Sequence, residues 1–257
     1  MSVVPARMAG VRKIVIVTPP NKYGNVDPHI LAVANLLKVD EVYKVGGAQA
    51  ISALAFGTKT IPKVDKIVGP GNEYVTEAKR QVFGFVDIDM LAGPSEVVIL
   101  ANHFSDKAYV TQDLLAQTEH AKGLAVLVTT SKKFAKMMKH EDIKGYIVLA
   151  RNIDQAVEVI NRIAPEHLEI LIKRPNRILK KIQNAGAIFT GPYSPVCIGD
   201  YVAGPSHILP TGGTARFFSG LGVRSFLKNI HTISYSKKAL ENEKVAIEKM
   251  TKIEGLS

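Results

Sequence analysis

The sequence is poor in the residue types that mark several classes of protein. Its 257 residues include one cysteine, Cys197, and no tryptophan. A single cysteine excludes an internal disulfide framework and any Cys-x-x-Cys metal or redox motif. We expect Cys197 to be a buried structural residue, with a catalytic thiol as the alternative. No apolar run is long enough to span a bilayer, and the first residues, MSVVPARMAGVRK, lack the apolar region of a signal peptide. We therefore expect a cytoplasmic protein with no membrane partner.

The charge is strongly positive, but it is not concentrated. The formal net charge is +10, from 33 Lys and Arg against 23 Asp and Glu. The lysine pairs at 132–133, 180–181 and 237–238 fall on separate predicted helix faces, and no RNA-binding or helix-turn-helix pattern accompanies them. We interpret the charge as a solvated basic surface that helps attract an anionic cofactor, and we expect no nucleic-acid partner.

Short β-branched runs alternate with helical segments along most of the chain, which is typical of βαβ units and a mostly parallel sheet. About ten strands are too many for one sheet, so we predict two Rossmann-like parallel-sheet α/β domains and a short C-terminal arm. The boundary between the domains is placed at the Gly93–Pro94 turn. The predicted domains are 1–94, 95–221 and a strand-helix arm over 222–257, whose strand is HTISYS at 231–236. Within the second domain we predict helices over 106–121 and 175–185 and an irregular loop over 191–222.

A polar pair lies near the end of the helix over 106–121. Gln117 continues the apolar stripe of Val110 and Leu114, and His120 follows three residues later on the same side. An amide on an apolar face needs a partner, because an unpaired polar group there costs free energy. The local sequence leaves two interpretations open: a pair of metal ligands, or a hydrogen-bonded glutamine beside a histidine near a helix end.

Two further groups carry residue types used in catalysis or metal binding. Glu166 and His167 begin a predicted strand, where we expect their side chains to point apart, and they offer a carboxylate and an imidazole for proton transfer. Asp200 and His207 lie in the predicted irregular loop and are the residue types that bind zinc through oxygen and nitrogen. In isolation, the first pair is equally explained as a surface turn and the second as loop residues of a turn.

Glycine-rich turns follow several predicted strands. VGGAQA and VGPGNEY each connect a strand to a helix and would let a phosphate or a sugar approach backbone N–H groups. Neither matches G-x-G-x-x-G, so neither alone specifies a dinucleotide. AGPSEVV is a similar tight turn that carries a hydroxyl, Ser95.

These segments follow one another in an order that resembles the histidinol dehydrogenase family. The resemblance covers essentially the whole chain and is carried by VGGAQAI, GPGNEYV, DIDMLAGPSEVV, DLLAQTEH, APEHLEI, GDYVAGPSHILPT and EGL. It implies oxidation of L-histidinol through histidinaldehyde to L-histidine, the last step of histidine biosynthesis, with reduction of two NAD⁺. It also implies a bound Zn²⁺ and a homodimer with intertwined, arm-swapped subunits.

The resemblance implies a role for each residue that matches a position of the family. Glu166 would activate water for attack on the aldehyde, and His167 would assist proton removal from the alcohol. The other positions are expected to bind zinc (Gln117, His120, Asp200), substrate (Ser95, Gln117, His120, His167, Asp200, His207, and Glu254 in the partner subunit's site) and NAD (Gln49, Asn72).

The sequence also departs from the family. A substantial N-terminal portion with a glycine-rich segment is absent, and no histidine follows EGL, where the family has its fourth zinc ligand. We therefore expect a chain truncated at both ends, with a first domain only partly present and an incomplete zinc site. The alternative function is an inactive fragment that retains only a nucleotide-binding or interaction role.

Overall fold

The computed structural model describes residues 1–119, 123–141 and 143–256. The chain divides into a first compact unit, Met1–Phe226, and a second unit that begins at Leu227. Strands and helices alternate through the first unit and every strand pair in it is parallel, which confirms the predicted α/β class. No helix in these described ranges is long and apolar enough to cross a membrane.

The part of the first unit before Gly93 contains two short parallel strand pairs. β1 pairs with β2, and β3 pairs with β4. Helices α3 and α4 pack against each other. The elements are α1 (Val3–Met8), β1 (Val15–Val17), α2 (Pro28–Leu36), β2 (Glu41–Tyr43), α3 (Gly47–Phe56), β3 (Lys66–Ile67), α4 (Glu73–Val82) and β4 (Asp87–Ile88).

The rest of the first unit is built on a five-stranded parallel sheet with the strand order β7-β6-β5-β8-β9. Its strands are β5 (Glu96–Leu100), β6 (Leu124–Thr129), β7 (Tyr146–Leu149), β8 (His167–Ile170) and β9 (Ala187–Thr190). The helices are α5 (Lys107–Thr118), α6 (Lys132–Met138), α7 (Ile153–Ile163), α8 (Asn176–Leu179) and α9 (Val196–Tyr201), followed by 3-10 turns at Thr214–Arg216 and Val223–Phe226. In the second unit, α10 spans Lys237–Ile253.

The inner strands β6, β5 and β8 are buried along almost their whole length because helices cover both faces of the sheet. The side chains of β5 alternate between two buried clusters: Val98 packs with residues of α7, and Val97 with residues of α5 and α6. Helix α7 begins at an Asn152 cap, whose side chain accepts from the Gln155 N–H, and ends at Ala164 in a left-handed conformation. The left-handed residue ends the helix, so that the chain turns into β8, and this sets the positions of Glu166 and His167.

Three details differ from the sequence-based expectation. Helix α8 covers only Asn176–Leu179 of the predicted 175–185, and its cap, Pro175, makes no side-chain cap hydrogen bond. The described residues of HTISYS form no strand. The segment 191–222, predicted to be irregular, contains α9 and a 3-10 turn. The five-stranded sheet begins after Gly93–Pro94, while the domain boundary there stays a prediction.

A buried ion pair shapes the glycine turn after β3. The side chains of Lys79 and Asp89 are 3% and 1% exposed, and their Nζ and Oδ1 atoms lie 2.6 Å apart. Asp89 also accepts from the Gly69 N–H at 2.7 Å, while Lys79 donates to the Gly69 carbonyl. Gly69 has a φ of +120°, which glycine adopts readily and other residues do not. The pair therefore holds both polar groups of Gly69 and sets the path of the turn that leads to Asn72.

We expect Asp89→Asn to destabilise the protein by about 3–5 kcal/mol, because it leaves the Lys79 charge buried without a counter-ion. Asp87→Asn is the matched control, since Asp87 also pairs with a lysine, Lys66, but is 56% exposed. The control should cost less than about 1 kcal/mol. Urea denaturation measures both, and equal losses would contradict this account of the pair.

Candidate active site

The register of two strands brings Glu166 and His167 against Glu96. β8 pairs with β5 so that His167 lies opposite Val97. The Glu96 N–H donates to Glu166 Oε2 at 3.0 Å, and His167 Nδ1 lies 3.1 Å from the Glu96 carbonyl oxygen. The main chain of one residue therefore orients both candidate catalytic side chains.

The sequence led us to expect that the side chains of Glu166 and His167 point apart, but in the structure they approach each other. His167 Nδ1 lies 3.5 Å from Glu166 Oε2. The physical reason is that Glu166 precedes β8, and its carboxyl group turns toward the Glu96 N–H at the amino end of β5. Because Nδ1 faces a carbonyl oxygen, it must carry the proton, and Nε2 is then the basic nitrogen of the ring.

The environment of Glu166 favours a proton-transfer role. Burial raises the pKa of Glu166 to about 7, although the Glu96 N–H works in the opposite direction. The charges of Glu96 and Asp200 raise the pKa further, and a hydrogen bond from the Ser95 side chain lowers it. A carboxyl group whose pKa is near neutrality can both accept and return a proton under physiological conditions. Ser95, predicted as a substrate contact, is half-buried beside it.

Glu96 is a residue of this site that the sequence reasoning missed. Its side chain is buried, Oε1 accepts from the Gly212 N–H at 3.0 Å, and burial raises its pKa. Its other oxygen has no hydrogen-bond partner among the described residues. The neighbouring Thr211 hydroxyl accepts from the Gly93 N–H, so the loop around Gly212 is fastened to both ends of the segment that carries Ser95. The position of Glu96 at the start of an apolar strand was the available signal.

A cavity of about 430 Å³ opens beside His167. His167, Asp200 and His207 line it together with Phe189, whose ring centroid lies 6.0 Å from that of His167. Gly199 lies directly against this ring, because a Cβ built on it would be 2.7 Å from Phe189 Cζ. The structure thus brings the Asp200 and His207 predictions to the same cavity as His167.

Asp200 and His207 differ in their surroundings. Asp200 is half-buried on α9, rather than in an irregular loop, and its charge raises the pKa of Glu166. His207 is exposed at the cavity. Cys197, which precedes Asp200 on the same helix, is exposed, so the expectation of a buried structural cysteine is wrong. The short helix α9 presents it outward.

Gln117 is a buried polar residue on an otherwise apolar face of α5. It is 6% exposed and shares the sheet-facing side of α5 with Val110 and Leu114, as predicted. Its Nε2 has no hydrogen-bond partner within the described part of the chain. His120, the other predicted ligand of this segment, lies outside the described residues.

The donor types suit zinc, although the described residues do not form a complete metal site. No group of three or more His, Cys, Asp or Glu side chains arranged to hold a metal occurs in 1–119, 123–141 and 143–256. Gln117 and Asp200 nevertheless offer an amide oxygen and a carboxylate, and Gln117 is buried on the sheet-facing side of α5. With an imidazole, such a mixed N/O set is chemically suited to Zn²⁺.

The predicted NAD contacts lie at two glycine turns. Gln49 is exposed in the first turn of α3, and Asn72 is exposed where it caps α4 by accepting from the Val75 N–H at 3.1 Å. Both turns follow the carboxyl ends of parallel strands, where α/β proteins bind nucleotides. Gly47, with a φ of +74°, opens the first turn. Glu254, the remaining predicted contact, is exposed directly after α10 in the second unit.

Comparisons with known proteins bear on the family to which the chain belongs. The family model for histidinol dehydrogenase matches residues 1–257. The chain belongs to the histidinol dehydrogenase family.

Curated relatives named histidinol dehydrogenase include proteins of Listeria monocytogenes and Bacillus cereus, each 50% identical, and one of Clostridium acetobutylicum, 49% identical. Each alignment covers 100% of this chain and 64% of the relative. A crystal structure of histidinol dehydrogenase from Elizabethkingia anophelis matches with a TM-score of 0.91 and 38% identity, over 100% of this chain and 64% of that one. The chain thus spans just under two thirds of the length of these family members.

The raised pKa of Glu166 predicts a pH-dependent stability. The ordinary pKa of 4.5 rises to about 7 on folding, so the stabilising contribution is full below about pH 4.5 and is lost as the pH rises to about 7. In Glu166→Gln, the free energy of unfolding should fall less between about pH 5 and about pH 8, by up to a few kcal/mol. Urea denaturation at the two pH values measures this. The exposed Glu158→Gln is the control and should keep the wild-type slope; the same slope in Glu166→Gln would refute the assignment.

Proposed function

We propose that the protein is a histidinol dehydrogenase, which oxidises L-histidinol through L-histidinaldehyde to L-histidine with reduction of NAD⁺, in the last step of histidine biosynthesis. The observation that carries the proposal is the buried Glu166–His167 pair, which Glu96 orients and whose His167 lines a cavity together with Asp200 and His207. Membership of the family supports the choice of substrate. A cytoplasmic location is part of the proposal.

His167 and Glu166 would divide the proton transfers between them. With Nδ1 donating to the Glu96 carbonyl, His167 Nε2 would accept the proton of the histidinol hydroxyl. Glu166, whose pKa of about 7 keeps part of it ionised at neutral pH, would take a proton from the water that attacks the aldehyde. Bound NAD⁺ supplies the hydride acceptor in both oxidations.

Zinc and NAD⁺ would be held by different parts of the first unit. Gln117, His120 and Asp200 would bind Zn²⁺, and when bound it orients the substrate and polarises its oxygen. Ser95 and His207 would contact the substrate. The glycine turns with Gln49 and Asn72 would bind NAD⁺, since each places a helix N-terminus after a parallel strand.

We also propose a homodimer in which Glu254 completes the partner's substrate site. In the second unit, apolar side chains are widely exposed, with Ile230 and Ile233 79% and 81% exposed and Ile253, at the end of α10, 78% exposed. Apolar surface on this scale is typical of a region that another chain covers.

The direct test is NADH formation from L-histidinol and NAD⁺ in the presence of zinc. Because the relatives are longer than this chain, two proteins are compared: the 257-residue chain, and a chimaera that adds the portions of the Listeria monocytogenes protein with no counterpart here. Turnover by either protein that depends on histidinol supports the dehydrogenase. NAD⁺ binding without turnover in both would overturn it and favour a nucleotide-binding module.

The division of labour predicts different defects in two variants of whichever form is active. Glu166→Gln should slow aldehyde oxidation by about 10²–10⁴-fold, so that the NADH formed per histidinol falls from two toward one. His167→Asn should slow the first oxidation by a similar factor. Rapid-mixing kinetics with histidinol and with histidinaldehyde separate the two steps. His103→Asn, at an exposed histidine outside the cavity, is the control and should behave as wild type. Identical defects with both substrates in both variants would contradict the assigned roles.

A further inference from the structure

A second buried carboxylate lies on β8, two residues after His167. Glu169 is 0% exposed, and its Oε1 accepts from the Val196 N–H at 3.0 Å. Its Oε2 is buried, and no N–H or O–H group among the described residues donates to it. An ionised carboxylate in this position would leave one oxygen desolvated and without a donor, which is strongly unfavourable.

The group that meets the Glu169 carboxyl is another carboxyl. Asp113, half-buried on α5, is in hydrogen-bonding contact with it. Two carboxylates cannot hydrogen-bond to each other unless one of them carries a proton. Burial, followed by the charge and the hydrogen bond of Asp113, raises the pKa of Glu169 to about 8, and burial also raises the pKa of Asp113. A single proton between them supplies the missing donor.

The pair lies where three elements of the candidate site meet. Asp113 is one helical turn before Gln117 on α5. Val196, which donates to Glu169, begins α9 one turn before Asp200. Glu169 itself is on the same face of β8 as His167, because alternate residues of a strand share a face. Each contact of the pair is thus one turn or one pleat away from a residue that the proposed function uses.

We propose that Asp113 and Glu169 share one proton and act as a positioning pair, which fixes α5 and α9 to β8 so that Gln117, Asp200 and His167 keep their relative places. The proposal rests on the proposed function for the roles of those three residues. The pair itself touches neither substrate nor cofactor. The shared proton lets two acidic groups occupy one buried position with a total charge of −1 and with a hydrogen bond between them.

The proton is tested by infrared spectroscopy. The wild-type chain near neutral pH should show the carbonyl stretch of a neutral carboxyl group, and a component of it should vanish in both Glu169→Gln and Asp113→Asn. Either amide replaces the shared proton with an N–H donor and keeps the charge at −1. An unchanged neutral-carboxyl band in both variants would overturn proton sharing.

The positioning role is tested by zinc affinity, measured by competition with a chromophoric chelator. Glu169→Gln keeps the acceptor for Val196 and a donor for Asp113, so it should bind zinc within about 3-fold of wild type. Glu169→Leu removes both and should weaken binding by about 10-fold or more, the usual range for residues that support metal ligands. Thr111→Val, at a buried hydroxyl on α5 that faces Met138, is the matched control and should bind as wild type. Equal affinity in Glu169→Leu and Glu169→Gln would overturn the role.

A second variant guards against loss of folding in Glu169→Leu. Val196→Pro removes the N–H that donates to Glu169 and keeps an apolar side chain there, at the first residue of a helix, where proline is tolerated. Pro195 already has φ −67° and ψ 158°, which a following proline requires. This variant should keep the neutral-carboxyl band and lose zinc affinity; wild-type affinity in it would show that the contact does not position α9.

These experiments also distinguish failure of the Asp113–Glu169 proposal from failure of the zinc assignment. If the wild-type chain and the chimaera bind no zinc, the zinc assignment has failed. The pair is then judged by hydrogen exchange at α5 and at the Val196 N–H, which should be faster in Glu169→Leu than in Glu169→Gln. Equal exchange rates would overturn the positioning role on their own.

Discussion

The candidate site depends on the hydrogen bonds of the Glu96 main chain, at the point where β5 and β8 begin to pair. Its N–H donates to Glu166 and its carbonyl oxygen accepts from His167, while its own side chain accepts from Gly212. Main-chain groups of a buried central strand move little, because shifting them would break the hydrogen bonds of the sheet on both sides. The orientation of Glu166 and His167, the candidate catalytic pair, is therefore set by the register of the sheet rather than by flexible surface contacts.

Burial is the second constraint, and it acts on acidic groups in particular. Glu96, Glu166 and Glu169 are all less than 9% exposed. In each case desolvation is the largest influence on the pKa, and it raises it. The sheet thus gathers carboxyl groups with raised pKa values around a histidine that faces a cavity. Such a grouping is unfavourable for stability and common at sites that transfer protons.

The sequence predicted the class of fold and most helix and strand positions because the alternation of β-branched and helical segments is dictated by local patterning. The buried stripe of Val110, Leu114 and Gln117 was visible for the same reason. Helix α9, inside the segment 191–222, was not predicted, because it is too short to show a helical period. Helix α8 was overestimated because its sequence favours a helix that the packing ends early.

The site was only partly predictable. Glu166, His167 and Asp200 were found through the order of segments that resembles the family, and the local spacing alone left them ambiguous. Glu96, Asp113 and Glu169 were missed because their significance lies in contacts between residues 56–116 positions apart, which no local pattern records. The Lys79–Asp89 pair was missed for a different reason: charged residues on a short helix and just after a short strand are ordinarily solvated.

The contact between Gly199 and Phe189 has a consequence for how the cavity can change over evolution. The ring leaves no room for a side chain at position 199, and the same ring forms one wall of the cavity beside His167. A larger residue at 199 therefore requires the Phe189 ring to move or position 189 to carry a smaller side chain. The two positions are coupled determinants of the width of the cavity, so a change at one constrains which residues the other can carry.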